Sequence, residues 1–114
     1  MINESNCDFF VSIHVNSLSD SRWYGAQTFY YDRYEESESL AKSIQESLIS
    51  VLKNTKREAK IIRNLYLFKM VEKPGVLIEA GFLSNLHEES LLLQDKYQDL
   101  VAFAIYLGIL KNLE

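Results

Sequence analysis

Two apolar runs at opposite ends of the chain dominate its pattern of hydrophobic and polar positions. The first extends from Phe9 to Val15, and the second is Val76-Leu77-Ile78-Glu79-Ala80-Gly81-Phe82. Near-continuous apolar runs of this length, bounded by polar residues, predict strands that are covered on both faces. A third run, from Tyr24 to Tyr31, is rich in aromatic and β-branched residues and predicts another strand.

Helical periodicity separates these strands. Apolar residues spaced three and four positions apart predict a helix from Glu35 to Asn54 and a last helix from about Lys96 to Lys111. A short helix between them is predicted to begin at Asn85, a good N-cap residue with Glu88 at the reciprocal position. The pattern therefore predicts an α/β fold, a mostly parallel sheet flanked by helices.

The polar segments give two further predictions. Asp32 lies three residues before Glu35, and this spacing predicts a capping pair at the start of the first long helix. The segment from Thr55 to Asn64 has weak apolar periodicity and a cluster of basic side chains. We interpret it as a solvated surface connection that carries Lys56, Arg57, Lys60 and Arg63.

Composition limits the classes of function. A chain of 114 residues with 47% apolar content is one domain at most and can bury a core. A net charge of -4 argues against nucleic acid as the main partner, because phosphate binding depends on a basic surface. Cys7 is the only cysteine, which excludes an internal disulfide. No apolar run approaches the ~18 residues of a transmembrane segment.

The candidate chemistry lies in the two apolar runs. Glu79 is unusual because strands disfavour glutamate and because burial of an unpaired carboxylate is costly. In the first run, strand alternation places Ser12, His14 and Asn16 on one face, with the polar groups gathered at the carboxyl end. Ligands bind at the carboxyl ends of strands in open, mostly parallel α/β sheets. A single histidine there is more often a structural residue than a metal ligand, but together with Glu79 it suggests part of a metal-dependent hydrolase site.

The same residues carry a family resemblance. The segment Ser12-Ile13-His14-Val15-Asn16 resembles the Ser-Ile-His-x-Asn motif of the zinc-dependent N-acetylmuramoyl-L-alanine amidases of the amidase-3 type, which are bacterial cell-wall hydrolases. The segment from Pro74 to Asn85 resembles their second signature, Pro-x-Val-Leu-x-Glu-x-Gly-Phe-x-x-Asn. The resemblance covers the whole chain, and Gly25 to Tyr30 looks most like the branch involved in spore cortex maturation.

The resemblance implies roles for individual residues. His14 would be the last of three protein ligands to a catalytic Zn²⁺, and Glu79 would be the catalytic carboxylate. Asn16 would orient groups around the site. Lys69 falls where relatives usually have an arginine near the substrate cleft, and we do not count it as catalytic. The implied reaction is hydrolysis of the amide between N-acetylmuramic acid and the L-alanine of the stem peptide in peptidoglycan, at the cell envelope.

One departure from the family pattern changes this expectation. Members of the family begin their catalytic domain with an Asp-x-Gly-His-Gly-Gly motif that gives the first zinc ligand, and a later glutamate gives the second. This chain contains neither. Residues 1–114 are therefore expected to be the C-terminal portion of a single amidase domain, with the missing N-terminal half as partner. Alone, they are expected to be inactive and to leave an unpaired sheet edge.

Two other functions remain open from the sequence. The chain could be a non-catalytic peptidoglycan-binding or regulatory module on a degenerate amidase scaffold, with His14 and Glu79 kept only by packing. A different metallohydrolase, such as a carboxypeptidase, would need a further pair of ligands that the sequence does not provide. We rank that function last.

Overall fold

The computed structural model describes residues 7–16, 24–82 and 85–114, without the side chains of Asn16 and Phe82. Within these residues the strands are β1 (Phe10–Asn16), β2 (Gln27–Tyr30), β3 (Lys60–Ile61) and β4 (Gly75–Phe82). The helices are α1 (Glu35–Leu52), α2 (Tyr66–Met70), α3 (Leu86–Leu92) and α4 (Asp95–Leu113). None of these described helices has the combination of length and apolar character needed to cross a membrane.

The strands form one mixed sheet in the order β1-β4-β2-β3. β1 runs parallel to β4, and β2 runs parallel to β3, while β2 and β4 are antiparallel. The predicted α/β fold with a mostly parallel sheet is confirmed. The antiparallel direction of β2 relative to β4 was not predicted, because strand direction has no signature in the periodicity of a short strand.

The sheet is packed on both faces. On one face, α1 and α4 bury a core that includes Ile44, Leu48 and Ile78. On the other face, Phe68 of α2 packs with Phe10 and Leu77. The neighbours Leu77 and Ile78 thus enter opposite cores, which confirms that β4 is covered on both faces as the continuous apolar run predicts.

Close contact between α1 and α4 depends on small residues. A Cβ atom on Gly108 would lie 2.5 Å from the Ile44 Cα, so only glycine permits this approach of the two helices. The Ser43 hydroxyl donates a hydrogen bond to the Gly108 carbonyl, and the Ser47 hydroxyl donates one to the Ala104 carbonyl, each at 2.6 Å. These bonds satisfy polar groups that the helix contact removes from water.

The predicted capping pair of the first long helix is wrong. The helix begins at Glu35, as predicted, but its N-cap residue is Tyr34, and no side chain makes a capping hydrogen bond. Asp32 lies two positions too early to reach the first turn. Its carboxylate instead accepts a hydrogen bond at 2.8 Å from the guanidinium of Arg63.

The segment from Thr55 to Asn64 is not simply a solvated connection. It contains β3, which pairs with β2, and it is followed by α2, a helix that the sequence pattern did not predict. Thr55 is buried, and its hydroxyl donates a hydrogen bond to the Ala26 carbonyl at 2.8 Å. The interpretation failed because two paired residues are too few to show a strand period.

Gly108→Ala tests the contact between α1 and α4. On an open helix surface this change stabilises a helix by up to about 1 kcal/mol. Here the added methyl group meets backbone atoms of Ile44, so we expect the free energy of unfolding to fall by about 1–3 kcal/mol. Urea denaturation followed by circular dichroism measures the change. Lys111→Ala, at an exposed position of α4, is the control, and a Gly108→Ala variant as stable as the parent would contradict the packing.

Candidate active site

A row of three polar side chains crosses the sheet. His14 on β1 is the register partner of Glu79 on β4, and Gln27 on β2 is the partner of Glu79 on its other side. Paired residues of neighbouring strands point to the same face, so the three side chains share one face. Because β1 and β4 are parallel, His14 and Glu79 lie together near the carboxyl ends of both strands, at the position expected for a ligand site.

Glu79 is the member of this row whose charged form is disfavoured by burial. Its side chain is half-buried, and its Oε2 atom is buried without a hydrogen-bond partner among the described residues. Desolvation raises the pKa of this carboxyl above its ordinary value, and the nearby His14 partly offsets the increase. The site therefore favours a carboxyl group that can hold a proton.

His14 presents its imidazole to solvent beside this carboxyl. The His14 side chain is exposed, and its Nε2 atom lies 3.0 Å from the Ser12 hydroxyl oxygen. Both residues lie on the face that strand alternation predicts. The register between β1 and β4 shifts between His14 and Asn16, and the side chain of Asn16 lies outside the described residues.

Gln27 is fixed beside Glu79 by a network that the sequence did not reveal. Its amide oxygen accepts a hydrogen bond from the Arg57 guanidinium at 3.0 Å, and its amide nitrogen donates one to the Glu58 carbonyl at 2.8 Å. Arg57 also donates to the Tyr24 carbonyl at 2.7 Å. The interpretation of the basic cluster as a solvated face is therefore wrong for Arg57. The sequence feature that could have indicated this network is the glutamine at the start of a strand rich in aromatic residues.

The buried carboxylate of Glu88 connects α3 to the segment that precedes β2. Glu88 on α3 is buried, and its Oε2 atom accepts a hydrogen bond at 3.0 Å from the Gly25 backbone N–H, next to the start of β2. The Asn85 side chain accepts a hydrogen bond from the Glu88 backbone N–H at 3.1 Å, which confirms the predicted N-cap. Because Glu88 stands at a position that fits a capping pair, its contact with the distant Gly25 could not be predicted from the sequence.

The described residues do not by themselves form a catalytic zinc site. Such a site needs about three protein ligands and an open position. Within residues 7–16, 24–82 and 85–114, no group of three or more His, Cys, Asp or Glu residues could hold a metal ion. His14 supplies one accessible imidazole. Lys69 is exposed on α2, the helix that covers this face of the sheet.

The fold and the row of side chains define an α/β protein with a polar site at the carboxyl ends of two parallel strands. Residues 1–111 match the model of a protein family described as N-acetylmuramoyl-L-alanine amidase, of the amidase-3 type. The chain belongs to this family, as its two sequence motifs indicate.

Individual relatives agree with this assignment. The chain is 51% identical over 111 residues to the germination-specific N-acetylmuramoyl-L-alanine amidase of Bacillus subtilis, covering 97% of this chain and 47% of that protein. This relative confirms the expected resemblance to a spore-related branch. The chain thus spans about half the length of this curated relative.

Two solved structures share the fold. The CwlD amidase from Clostridioides difficile, determined in complex with the GerS lipoprotein, superimposes with a TM-score of 0.93 at 49% identity, covering 98% of this chain and 57% of that chain. An N-acetylmuramoyl-L-alanine amidase from Clostridium difficile 630 superimposes with a TM-score of 0.88 at 32% identity, covering 97% and 60%. The four-stranded sheet and its helices are therefore a recurring part of a larger amidase fold.

Glu79→Gln tests the burial of the carboxyl. Because the folded state raises the pKa of Glu79, the protonated form is favoured on folding, and stability is lost as pH rises from the ordinary glutamate pKa towards the folded pKa. The free energy of unfolding of Glu79→Gln minus that of the parent is expected to increase over this interval and then to level off. Denaturation at a series of pH values measures it.

Glu36→Gln is the matched control for this measurement. It removes the same charge from an exposed position on α1, so it reports the effect of net charge alone. If the pH dependence of stability changes equally in both variants, burial does not raise the pKa of Glu79.

Proposed function

We propose that residues 1–114 are the C-terminal portion of a peptidoglycan amidase domain, the portion that carries its proton-handling carboxylate. The domain hydrolyses the amide between N-acetylmuramic acid and the L-alanine of the stem peptide. The observation that carries this proposal is the half-buried Glu79 carboxyl beside His14, whose Oε2 atom has no hydrogen-bond partner among the described residues, in a chain of the amidase family. Because this substrate is cell-wall material, the site of action is extracytoplasmic.

Glu79 acts as general base and then as general acid. A carboxyl with a raised pKa can take a proton from the attacking water and return it to the leaving amine of L-alanine. The Oε2 atom is buried and has no hydrogen-bond partner among the described residues, so no hydrogen bond within them competes for the proton that the carboxyl holds. Gln27, held by the Arg57 guanidinium, is the register partner of Glu79 on β2 and adds a polar side chain to the same face of the sheet.

Zinc belongs to the assembled domain in this proposal. When bound, the metal on which amidases of this family generally depend lowers the pKa of a coordinated water. His14 is the one residue of the described chain that we assign as a ligand, so the other ligands come from outside the described residues. The relation to a germination-specific amidase supports spore peptidoglycan as the substrate.

A chimera tests the role of Glu79. The stretch of the Bacillus subtilis germination-specific amidase that aligns with this chain is replaced by residues 1–111, and release of stem peptides from purified peptidoglycan is measured. We expect the chimera to be active and Glu79→Gln in the chimera to lower the rate by about 10²–10⁴-fold, because proton transfer is lost.

Glu89→Gln is the control for the chimera, since this glutamate is exposed on α3. It should leave the rate unchanged. Full activity of the Glu79→Gln chimera would contradict the proposal. A folded chimera without activity, together with binding of the isolated chain to peptidoglycan, would favour the non-catalytic module.

The isolated chain is expected to bind Zn²⁺ weakly and to release no stem peptide, because a catalytic site needs about three protein ligands and the described residues supply one. Metal analysis after dialysis against micromolar zinc and a muropeptide assay on the same sample check this expectation. Stoichiometric zinc accompanied by hydrolysis would show that the chain carries a complete site.

A further inference from the structure

Positive charge is concentrated in one segment of an otherwise acidic chain. Residues 53–63 carry five basic side chains and one acidic side chain, which gives this segment a net charge of +4. The whole chain has a net charge of -4, so the remaining residues together carry -8. The segment follows α1 and contains β3, which lies at the opposite edge of the sheet from β1. It is therefore a cationic surface that favours an anionic partner.

Three of the five basic side chains in this segment have no partner among the described residues. Arg57 is held by hydrogen bonds near β2, and Arg63 forms an ion pair with Asp32. The other three are exposed lysines whose ammonium groups make no ion pair or hydrogen bond with any described residue, namely Lys53, Lys56 and Lys60. No charge of the described structure is paired with these three ammonium groups.

Two of these lysines line a cavity of about 500 Å³ at the end of α1, which we call the Lys53 cavity. Its lining consists of Tyr24, Ile49, Lys53, Asn54, Thr55 and Lys56. The Thr55 hydroxyl and the Asn54 amide group already donate hydrogen bonds within the protein, to the Ala26 carbonyl and the Tyr97 hydroxyl. The charged groups of this lining are both ammonium groups, so the cavity favours an anion.

Lys53 is held in a backbone conformation that ordinarily belongs to glycine. It ends α1 with φ 60° and ψ 17°, in the left-handed region. Among the described residues it is the one non-glycine residue with a positive φ. A side chain in this region has a steric cost, and glycine is the usual residue at the end of a helix. Backbone strain of this kind is concentrated at functional sites, and here it places a charged side chain in the wall of a cavity.

A neighbouring cavity of about 270 Å³ is less suited to an anion. It shares Ile49 with the Lys53 cavity, and its lining carries two charged residues of each sign, namely Lys42, Arg57, Glu46 and Glu58. The two carboxylates would repel an anionic group. We therefore assign the anion to the Lys53 cavity.

The Lys53 cavity lies near the row of polar side chains on the sheet. Tyr24 in its lining precedes Gln27 by three residues, which span at most about 11 Å of chain. Gln27 is the register partner of Glu79. The Arg57 guanidinium joins the two regions, because it donates hydrogen bonds to both the Tyr24 carbonyl and the Gln27 side chain. A polymer held in the cavity is therefore close to Glu79.

We propose that the Lys53 cavity binds free carboxylates of peptidoglycan stem peptides and so holds the polymer near Glu79. The inference rests on the proposed function, which supplies peptidoglycan as the polymer. The two ammonium groups complement carboxylates, and Tyr24, which is 56% exposed, gives apolar contact to the part of the polymer beside them. The contact is made to groups of the polymer that do not react.

Sedimentation with purified peptidoglycan tests this site. The isolated chain is mixed with peptidoglycan from which teichoic acid has been removed, and the bound fraction is measured as salt is increased. We expect binding that falls as salt rises, because exposed charges are screened, and that is lost when the carboxyl groups of the peptidoglycan are amidated. Binding that survives amidation, or that requires teichoic acid, would overturn the proposal.

A double variant locates the binding site. Lys53→Gln combined with Lys56→Gln should weaken binding to peptidoglycan about tenfold, because two charges that face the ligand are removed. The matched control is Lys96→Gln combined with Lys111→Gln, which removes the same charge from exposed positions on α4. An equal loss of binding in the two double variants would overturn the assignment to this cavity.

Lys53→Gly separates binding from stability. Glycine relieves the backbone at this position, so the midpoint of urea denaturation is expected to equal or exceed that of the parent. Binding to peptidoglycan is expected to fall about threefold in the same variant. A lysine with a purely structural role would leave binding unchanged, and that result would overturn the role of Lys53.

The chimera with the Bacillus subtilis amidase separates this site from the chemistry. In an active chimera, Lys53→Gln with Lys56→Gln should raise the peptidoglycan concentration needed for half-maximal rate about tenfold and leave the maximal rate unchanged. An inactive chimera that still binds peptidoglycan through the two lysines would contradict the proposed function and support the binding site. An active chimera whose binding is unaffected by the double variant would support the function and overturn the binding site.

Discussion

The parallel pairing of β1 with β4 is the constraint on which the rest of the structure depends. Its register sets His14 against Glu79, while the alternation of side chains along β4 sends Leu77 and Ile78 into opposite cores. A slip of one residue in β4 would move Glu79 into the core under α1 and α4 and would expose the apolar residues that belong there. Burial of the apolar residues of β4 therefore holds the polar pair in place.

The partial burial of the Glu79 carboxyl costs the folded protein free energy. Glu79 loses hydration without gaining a hydrogen bond at Oε2 among the described residues. Burial of this kind makes the folded protein less stable when the Glu79 carboxyl is ionised. Two neighbouring polar pairs are hydrogen-bonded: Arg57 with Gln27, and Glu88 with the Gly25 backbone N–H. Among the described residues, Glu79 is the acid with a buried oxygen that has no hydrogen-bond partner, and perturbed acids of this kind are concentrated at functional sites.

Much of this architecture could be predicted from the sequence. The two apolar runs predicted β1 and β4, and helical periodicity predicted α1 and α4 to within a few residues. Periodicity could not predict the network around Gln27 and Glu88, because each partner lies far away in the chain. Arg57 stands in a run of basic residues that looks like any solvated surface, and only the fold shows that its guanidinium reaches Gln27. Asp32 is not the N-cap: the helix begins directly after Tyr34, and the Asp32 carboxylate is paired with the distant Arg63, a contact that local spacing cannot predict.

The sequence by itself determined the local chemistry: a glutamate inside an apolar strand, a histidine near the end of another, and two motifs of an amidase family. Only the tertiary structure decided that His14, Glu79 and Gln27 form one row, that Glu79 Oε2 has no hydrogen-bond partner among the described residues, and that Ile13 and Val15 of β1 are exposed. The reason is physical. Strand and helix periods depend on neighbouring residues, whereas register, desolvation and coverage of an apolar face depend on contacts between distant parts of the chain.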